Sequence, residues 1–105
     1  MKLVVIESPY SGDIEGNTAY ARACMADSIK RGEAPLASHL LYPQPGILDE
    51  NIEAERHLGI NLGLYWAERA DFIVFYTDRG WSRGMYAAKE FYEDQGKLYV
   101  ERTLG

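Results

Sequence analysis

The sequence predicts an α/β protein with a Rossmann-like or flavodoxin-like fold, a three-layer sandwich around a four- to five-stranded, mainly parallel sheet. Two short runs, residues 3–6 and 72–76, consist almost wholly of β-branched, leucine and aromatic side chains. Such runs are typical of strands that are buried on both faces. Longer segments with helical character separate them, and an alternation of strands and helices indicates a parallel sheet covered on both sides.

The order of the elements is strand, helix, strand, helix, strand, helix, strand. Glycines that follow the first and third helices are expected to end them, and the two prolines at residues 43 and 45 exclude regular structure there. The predicted elements are a strand at residues 3–6, a helix capped by Asn17 or Thr18 and ending near Arg31, a weaker strand at 34–41, a helix at 49–69, a strand at 72–76, a helix at 82–95 and a strand at 97–100.

The long second helix is predicted to face the core through a stripe of large apolar residues at helical spacing. The stripe consists of Leu58, Leu62, Tyr65 and Trp66. Gly59 and Gly63 weaken this helix. They either allow a close approach by a ligand or a neighbouring backbone, or merely fray the helix.

Composition limits the functional classes. A chain of 105 residues forms one domain, spanning residues 1–105. Its net charge of −5 argues against a nucleic-acid polymer as partner, because phosphate backbones need clustered Lys and Arg. The single cysteine, Cys24, excludes an internal disulfide and is expected to be a small core residue in a reducing compartment. No segment is long and apolar enough to suggest a membrane span, so we expect a cytoplasmic protein without a membrane partner.

Two loops are predicted to form the walls of a small-molecule site. The stretch from Thr77 to Met85 leaves a buried strand and opens a helix, so it aims free backbone N–H groups and a positive helix end at one spot. The loop after the first strand lies at the same edge, where parallel sheets bind their ligands. The candidate ligand-binding residues are Ser8, Pro9, Tyr10, Ser11, Gly12, Asn17, His39, Asp78, Gly80, Trp81, Ser82, Arg83, Gly84 and Met85.

Several of these residues also have a purely structural interpretation. Ser82 fits an N-cap as well as a phosphate contact, and Arg83 fits either a phosphate fork or a solvated surface residue. His39 is more typical of a hydrogen-bonded structural residue than of a general acid. Trp81 is expected to stack on a base or on a neighbouring subunit. No Cys/His spacing indicates a metal site, and no cofactor is expected.

In the order and spacing of these residues, the chain resembles the nucleoside 2-deoxyribosyltransferase-like superfamily, in particular its short phage and bacterial members, with the deoxynucleoside monophosphate N-glycosidases as more distant relatives. The matching features run through nearly the whole chain. They are Ser8-Pro9-Tyr10 with Asn17, then His39, Trp66 with Ala70-Asp71, Asp78, Ser82-Arg83-Gly84-Met85 and Gly96-Lys97. The resemblance implies a Rossmann-like fold, a nucleoside or nucleotide ligand, and a homodimer or larger homo-oligomer.

The resemblance also implies two catalytic carboxylates, and both are missing. The superfamily's glutamate, which attacks or stabilises the anomeric carbon, corresponds to Ala88. Its aspartate corresponds to Gly63. Glu90 is rotated away from position 88 on the helix, whereas Glu7 and Asp78 end strands and are alternative acids for the site. Ala88 fits either a natural binder that has lost catalysis or a Glu-to-Ala replacement that keeps a ligand uncleaved.

Three functions follow from this pattern. The first is a protein that binds a nucleotide or an ADP-ribose-type molecule without turnover, for example a phage-type protein that sequesters a nucleotide immune signal. The second is an N-glycosidase or deoxyribosyltransferase present in a form that lacks its nucleophile. The third, least favoured because two strand-end loops converge, is a protein–protein module that uses exposed aromatic residues.

Overall fold

The computed structural model describes residues 1–105 and has the predicted α/β architecture. A single sheet contains four strands, all parallel, in the order β2-β1-β3-β4. In chain order the elements are β1 (Leu3–Glu7), α1 (Ile14–Lys30), β2 (Ala34–Leu36), α2 (Ser38–Leu41), α3 (Glu53–Arg69), β3 (Phe72–Tyr76), α4 (Arg83–Asp94) and β4 (Tyr99–Arg102). The predicted Rossmann-like fold class is confirmed.

Alternation along the central strands creates two separate cores, one on each face of the sheet. Val4 and Ile6 of β1 pack with Tyr20 and Cys24 of α1 on one face. The opposite face packs the sheet against α3 and α4, through Val5, Ala67, Ala70, Ile73, Phe75, Met85 and Tyr92. Cys24 is fully buried, as expected. Glu7 continues the register of Val5, so its side chain lies on the α3/α4 side of the sheet.

The chain reverses direction across the sheet next to β1. From β1 it passes through α1 to β2 at one edge, and then crosses over through α3 to β3 on the other side of β1. The carboxyl ends of β1 and β3 therefore lie at the topological switch point, where open parallel sheets leave a crevice.

Several predicted boundaries are wrong for identifiable reasons. Asp13, rather than Asn17 or Thr18, caps α1, with its side chain accepting from the N–H of Gly16. Residues 34–41 are not one strand, because only 34–36 pair with β1 and 38–41 form the helical turn α2. The last strand begins two residues later than predicted, at Tyr99.

The predicted core-facing stripe of α3 is also wrong. Tyr65 is 63% exposed and Trp66 is 47% exposed. The helix instead packs through its small residues Gly63 and Ala67, which lie four apart on one face. Small side chains bring the helix axis close to the sheet, and the large ones then remain outside.

No helix of the protein combines the length and the apolar character that crossing a lipid bilayer requires.

Candidate functional site

A cavity of about 940 Å³ opens at the carboxyl end of β1, on the α3/α4 side of the sheet. Its walls come from the loop after β1, from α2, from one side of α3 and from the first turns of α4. This volume is in the range of cavities that hold drug-sized ligands and cofactors. The main cavity of the protein thus coincides with the switch point of the sheet.

Most of the predicted ligand-binding residues line this cavity. They are Ser8, Tyr10, Ser11, Gly12, His39, Ser82, Arg83, Gly84 and Met85. Ala88 and Gly63, the two positions where the resemblance implies carboxylates, also line it. Glu90, in contrast, is exposed and lies outside the lining, as its helical position predicts.

The loop after β1 is held in place by a buried amide. The Nδ2 of Asn17 donates to the carbonyl oxygens of Tyr10, at 3.0 Å, and Ser11, at 3.2 Å. Asn17 is 5% exposed and does not line the cavity. Its observed role is therefore to shape the loop, and the prediction that it contacts a ligand directly has no support in the geometry. Pro9 likewise lies outside the lining.

His39 of α2 forms part of the wall as a neutral imidazole. Its Nε2 lies 3.0 Å from the Oγ of Ser8, and its ring lies 5.7 Å from that of Tyr10. Burial lowers the pKa of His39 to about 4, so the ring is uncharged at neutral pH and is a poor proton donor there. This contact fits the predicted hydrogen-bonded, structural histidine.

Three predicted residues of the second loop point elsewhere. The carboxylate of Asp78 accepts from the hydroxyl of Tyr20 at 2.5 Å and from the N–H of Leu104 at 3.1 Å, so it fastens the C-terminal segment to α1. The hydrogen bond from Tyr20 lowers the pKa of this carboxyl. Gly80 forms a turn with φ +80°. Neither Asp78 nor Gly80 lines the cavity.

Trp81 packs against the protein and not into the cavity. Its ring lies 4.8 Å from that of Phe75 and 5.2 Å from that of Tyr86, and the ammonium of Lys89 lies 5.4 Å from its centre. The expectation that Trp81 stacks on a base therefore has no support in the geometry of this cavity, because the glycine-flanked turn folds the indole back over the edge of the core. Stacking on a neighbouring subunit stays a prediction. The stretch from Thr77 to Met85 contributes to the cavity only from Ser82 onward.

The N-terminus of α4 has unused donors beside the cavity. The Oγ of Ser82 accepts from the N–H of Met85 at 3.2 Å, and the carbonyl of Ser82 accepts from the N–H of Tyr86. No hydrogen bond within the chain uses the N–H groups of Arg83 or Gly84. Ser82 is therefore an N-cap, as one of its two interpretations held, while the next two N–H groups stay available to an anion.

Gly63 explains why no aspartate occupies that position. A Cβ added there would lie 2.7 Å from the Oγ and 3.0 Å from the Cβ of Ser38. The helices α2 and α3 touch at this point, so a side chain at position 63 requires the Ser38 hydroxyl to rotate and its Cβ to shift. Gly63 thus allows the close approach of a neighbouring side chain, while its place in the lining leaves it open to a ligand as well.

Glu7 is a further acidic group in the lining. Its Oε1 accepts from the hydroxyl of Tyr92 at 3.2 Å. Burial raises the pKa of Glu7 to about 7, against the hydrogen bond from Tyr92, which lowers it. A strand-end acid was expected as an alternative carboxylate, and the structure brings Glu7 to the cavity but not Asp78.

Sequence reasoning missed most of the contribution of α3. Arg56, His57, Gly59, Ile60 and Leu64 all line the cavity. The helical spacing of these residues was visible, but it gave no sign that this face of α3 borders a cavity. Tyr42 and Phe91 complete the aromatic part of the lining. No group of three or more His, Cys, Asp or Glu side chains has a geometry suited to a metal ion.

Residues 2–102 match a family described as Domain of unknown function (DUF7768). The chain belongs to this family. No protein with a curated description matches the sequence significantly. The matched residues cover nearly the whole fold and include every residue of the cavity lining.

Proposed function

We propose that this protein binds a nucleotide or an ADP-ribose-type small molecule in the cavity at the end of β1 and leaves its glycosidic bond intact. The observation that carries this proposal is the cavity itself. It joins the loop after β1 to the open N-terminus of α4, and it has alanine at position 88. The resemblance to the nucleoside 2-deoxyribosyltransferase-like superfamily supports the same class of ligand.

The proposal uses three features of the lining. Arg83 and the free N–H groups at the start of α4 suit a phosphate. Tyr10, Tyr42 and Phe91 offer aromatic surface for a sugar or base. The lining also contains two acids, Glu50 and Glu55, of which Glu55 already accepts from the N–H of Asp49 at 2.9 Å.

Binding and recovery of the ligand test this proposal together. Purified protein is titrated calorimetrically with nucleoside mono- and diphosphates and with ADP-ribose, and the bound compound is recovered after denaturation and identified by mass spectrometry. We expect at least one compound to bind and to be recovered intact. Failure of every compound to bind at millimolar concentration, or recovery of free base, would overturn the proposal.

A matched pair of arginine variants tests the location. Arg83→Gln removes one of the two arginines that line the cavity and is expected to weaken binding about tenfold, the usual loss for one charge-assisted phosphate contact. Arg79→Gln is the control, because Arg79 pairs with Asp13 at 3.2 Å outside the cavity. Equal losses in both variants would contradict a phosphate site at α4.

A second function is favoured by the orientation of Ala88, which lines the cavity although it also packs against the core. A carboxylate at this position would face the ligand, as an N-glycosidase or deoxyribosyltransferase requires. Ala88→Glu is therefore incubated with a nucleoside and nucleotide panel, and free base is quantified by chromatography. Ala26→Glu, on the exposed side of α1, is the control. If Ala88→Glu releases base and the wild type and Ala26→Glu do not, the second function is supported. If none of the three proteins releases base, the second function is rejected.

A further inference from the structure

The lining of the cavity changes character with depth. Both α3 and α4 run from the carboxyl edge of the sheet towards its opposite edge, since α3 leads into the start of β3 and α4 follows its end. Arg56 and Arg83 lie in the first turns of these helices, whereas Leu64 and Phe91 lie eight residues later. Eight residues correspond to about 12 Å along a helix. The mouth, at the first turns of these helices, thus carries Arg56 and Arg83 together with Glu50 and Glu55, whereas the floor is apolar.

Glu7 brings the charge of a carboxyl group to that floor. It is the last residue of β1 and accepts from Tyr92, the neighbour of Phe91 in α4, so its Oε1 lies beside the apolar end of the lining. Only its Oε1 has a hydrogen-bond partner. No fully buried side-chain oxygen or nitrogen of the protein lacks a partner, so the unpaired Oε2 must be accessible from the cavity. Glu7 also forms no ion pair within the chain.

We propose that Glu7 is the specificity-determining residue of the cavity, whose unpaired carboxyl oxygen accepts a hydrogen bond from the exocyclic amino group of a nucleotide base. This inference rests on the proposed nucleotide binding and adds an orientation to it. The phosphate lies at the mouth near Arg83, and the base lies on the floor beside Phe91.

The chemistry of the floor supports an amino group as the selected feature. A carboxylate only accepts hydrogen bonds, so it favours a base edge that donates, and pairing of Glu or Asp with a base amino group is an established mode of recognition. Phe91 and Leu64 offer apolar surface for the faces of the ring but no competing polar contact.

Matched ligand pairs that differ only in the amino group test the inference. The pairs are the 5′-monophosphates of adenosine and purine riboside, guanosine and inosine, and cytidine and 2-pyrimidinone riboside. At pH 8, where Glu7 is ionised, the wild-type protein is expected to bind the amino member of at least one pair about tenfold more tightly. Glu7→Ala should bind both members of that pair equally.

The pH profile separates recognition from a structural role. The preference within a pair should shrink between pH 8 and pH 6 as Glu7 takes up a proton, and Glu7→Gln should show no such change. The other groups that face the cavity and carry or change charge are Tyr10, His39, Tyr42, Glu50, Glu55, Arg56, His57 and Arg83, and Tyr92 contacts Glu7 from α4. Their effects, and that of the ligand phosphate, cancel in the ratio within a pair.

The outcomes distinguish this inference from the function on which it rests. Nucleotides could bind, and Arg83→Gln could weaken that binding, while no ligand pair shows a preference that depends on Glu7. In that case the inference is wrong and the proposed function stands. If no nucleotide binds, both are wrong. A preference that disappears in Glu7→Ala while the binding of the amino-free member remains supports both.

Discussion

Glu7 allows a sharp test of the reasoning about the cavity through the stability of the protein. Its carboxyl has a pKa raised by burial from the ordinary 4.5 to about 7. A proton therefore binds more tightly to the folded state than to the unfolded state. The stabilisation that results is complete below pH 4.5 and is lost as the pH rises through 7. Glu7→Gln keeps an oxygen to accept from Tyr92 but never becomes charged.

The magnitude follows from the separation of the two pKa values. Each pH unit between them is worth about 1.4 kcal/mol, so complete ionisation lowers the free energy of unfolding by about 3 kcal/mol. Between pH 5 and pH 8, where urea unfolding is practical, the expected loss is about 2.5 kcal/mol. From pH 5 to pH 8, the free energy of unfolding of Glu7→Gln should therefore rise by that amount relative to the wild type.

The assay is urea unfolding of both proteins at pH 5 and pH 8, followed by circular dichroism. Glu90→Gln is the matched control, since Glu90 is an exposed residue of α4 outside the cavity lining. Its difference from the wild type should stay constant with pH. If the Glu7→Gln difference also stayed within about 0.5 kcal/mol across the interval, Glu7 would not be a buried acid and the argument from its burial would fail.

Four further substitutions have expected outcomes. Gly63→Ala should lower the free energy of unfolding by about 1–3 kcal/mol because its Cβ would overlap Ser38. Gly59→Ala, whose added Cβ would have its nearest neighbour at 3.4 Å, should be neutral or stabilising by up to about 1 kcal/mol. Thermal unfolding of both variants measures the difference, and equal effects would contradict the close packing at Gly63. Asp78→Ala should reduce the free energy of unfolding by about 1–3 kcal/mol through its lost hydrogen bonds. The affinity for nucleotides, measured by calorimetry, should stay unchanged. A large loss of affinity would mean that Asp78 belongs to the ligand site. Ser82→Ala should cost about 1 kcal/mol through the lost N-cap, and urea unfolding that shows no loss would argue against that cap.

The depth of the cavity was not predictable because its floor joins distant parts of the chain. Glu7 and Tyr92 are 85 positions apart, and no periodicity in either segment indicates that they meet. The same holds for Gly63 and Ser38, whose contact leaves little room for a side chain at position 63. Periodicity also misplaced Tyr65 and Trp66, because it reports an apolar face without showing whether the neighbouring element admits large or small residues.

The sequence by itself determined the α/β class, the parallel sheet and the edge at which its loops converge. These follow from local patterns that extend over a few residues, namely apolar strand runs, helical segments and the glycines and prolines between them. Tertiary structure alone decided which loop residues line the cavity, that Asp78 and Trp81 turn away from it, and that Glu7 becomes an acid with a raised pKa. The burial of a side chain and its hydrogen-bond partners depend on how all the elements pack together, so they cannot be read from a single segment of the sequence.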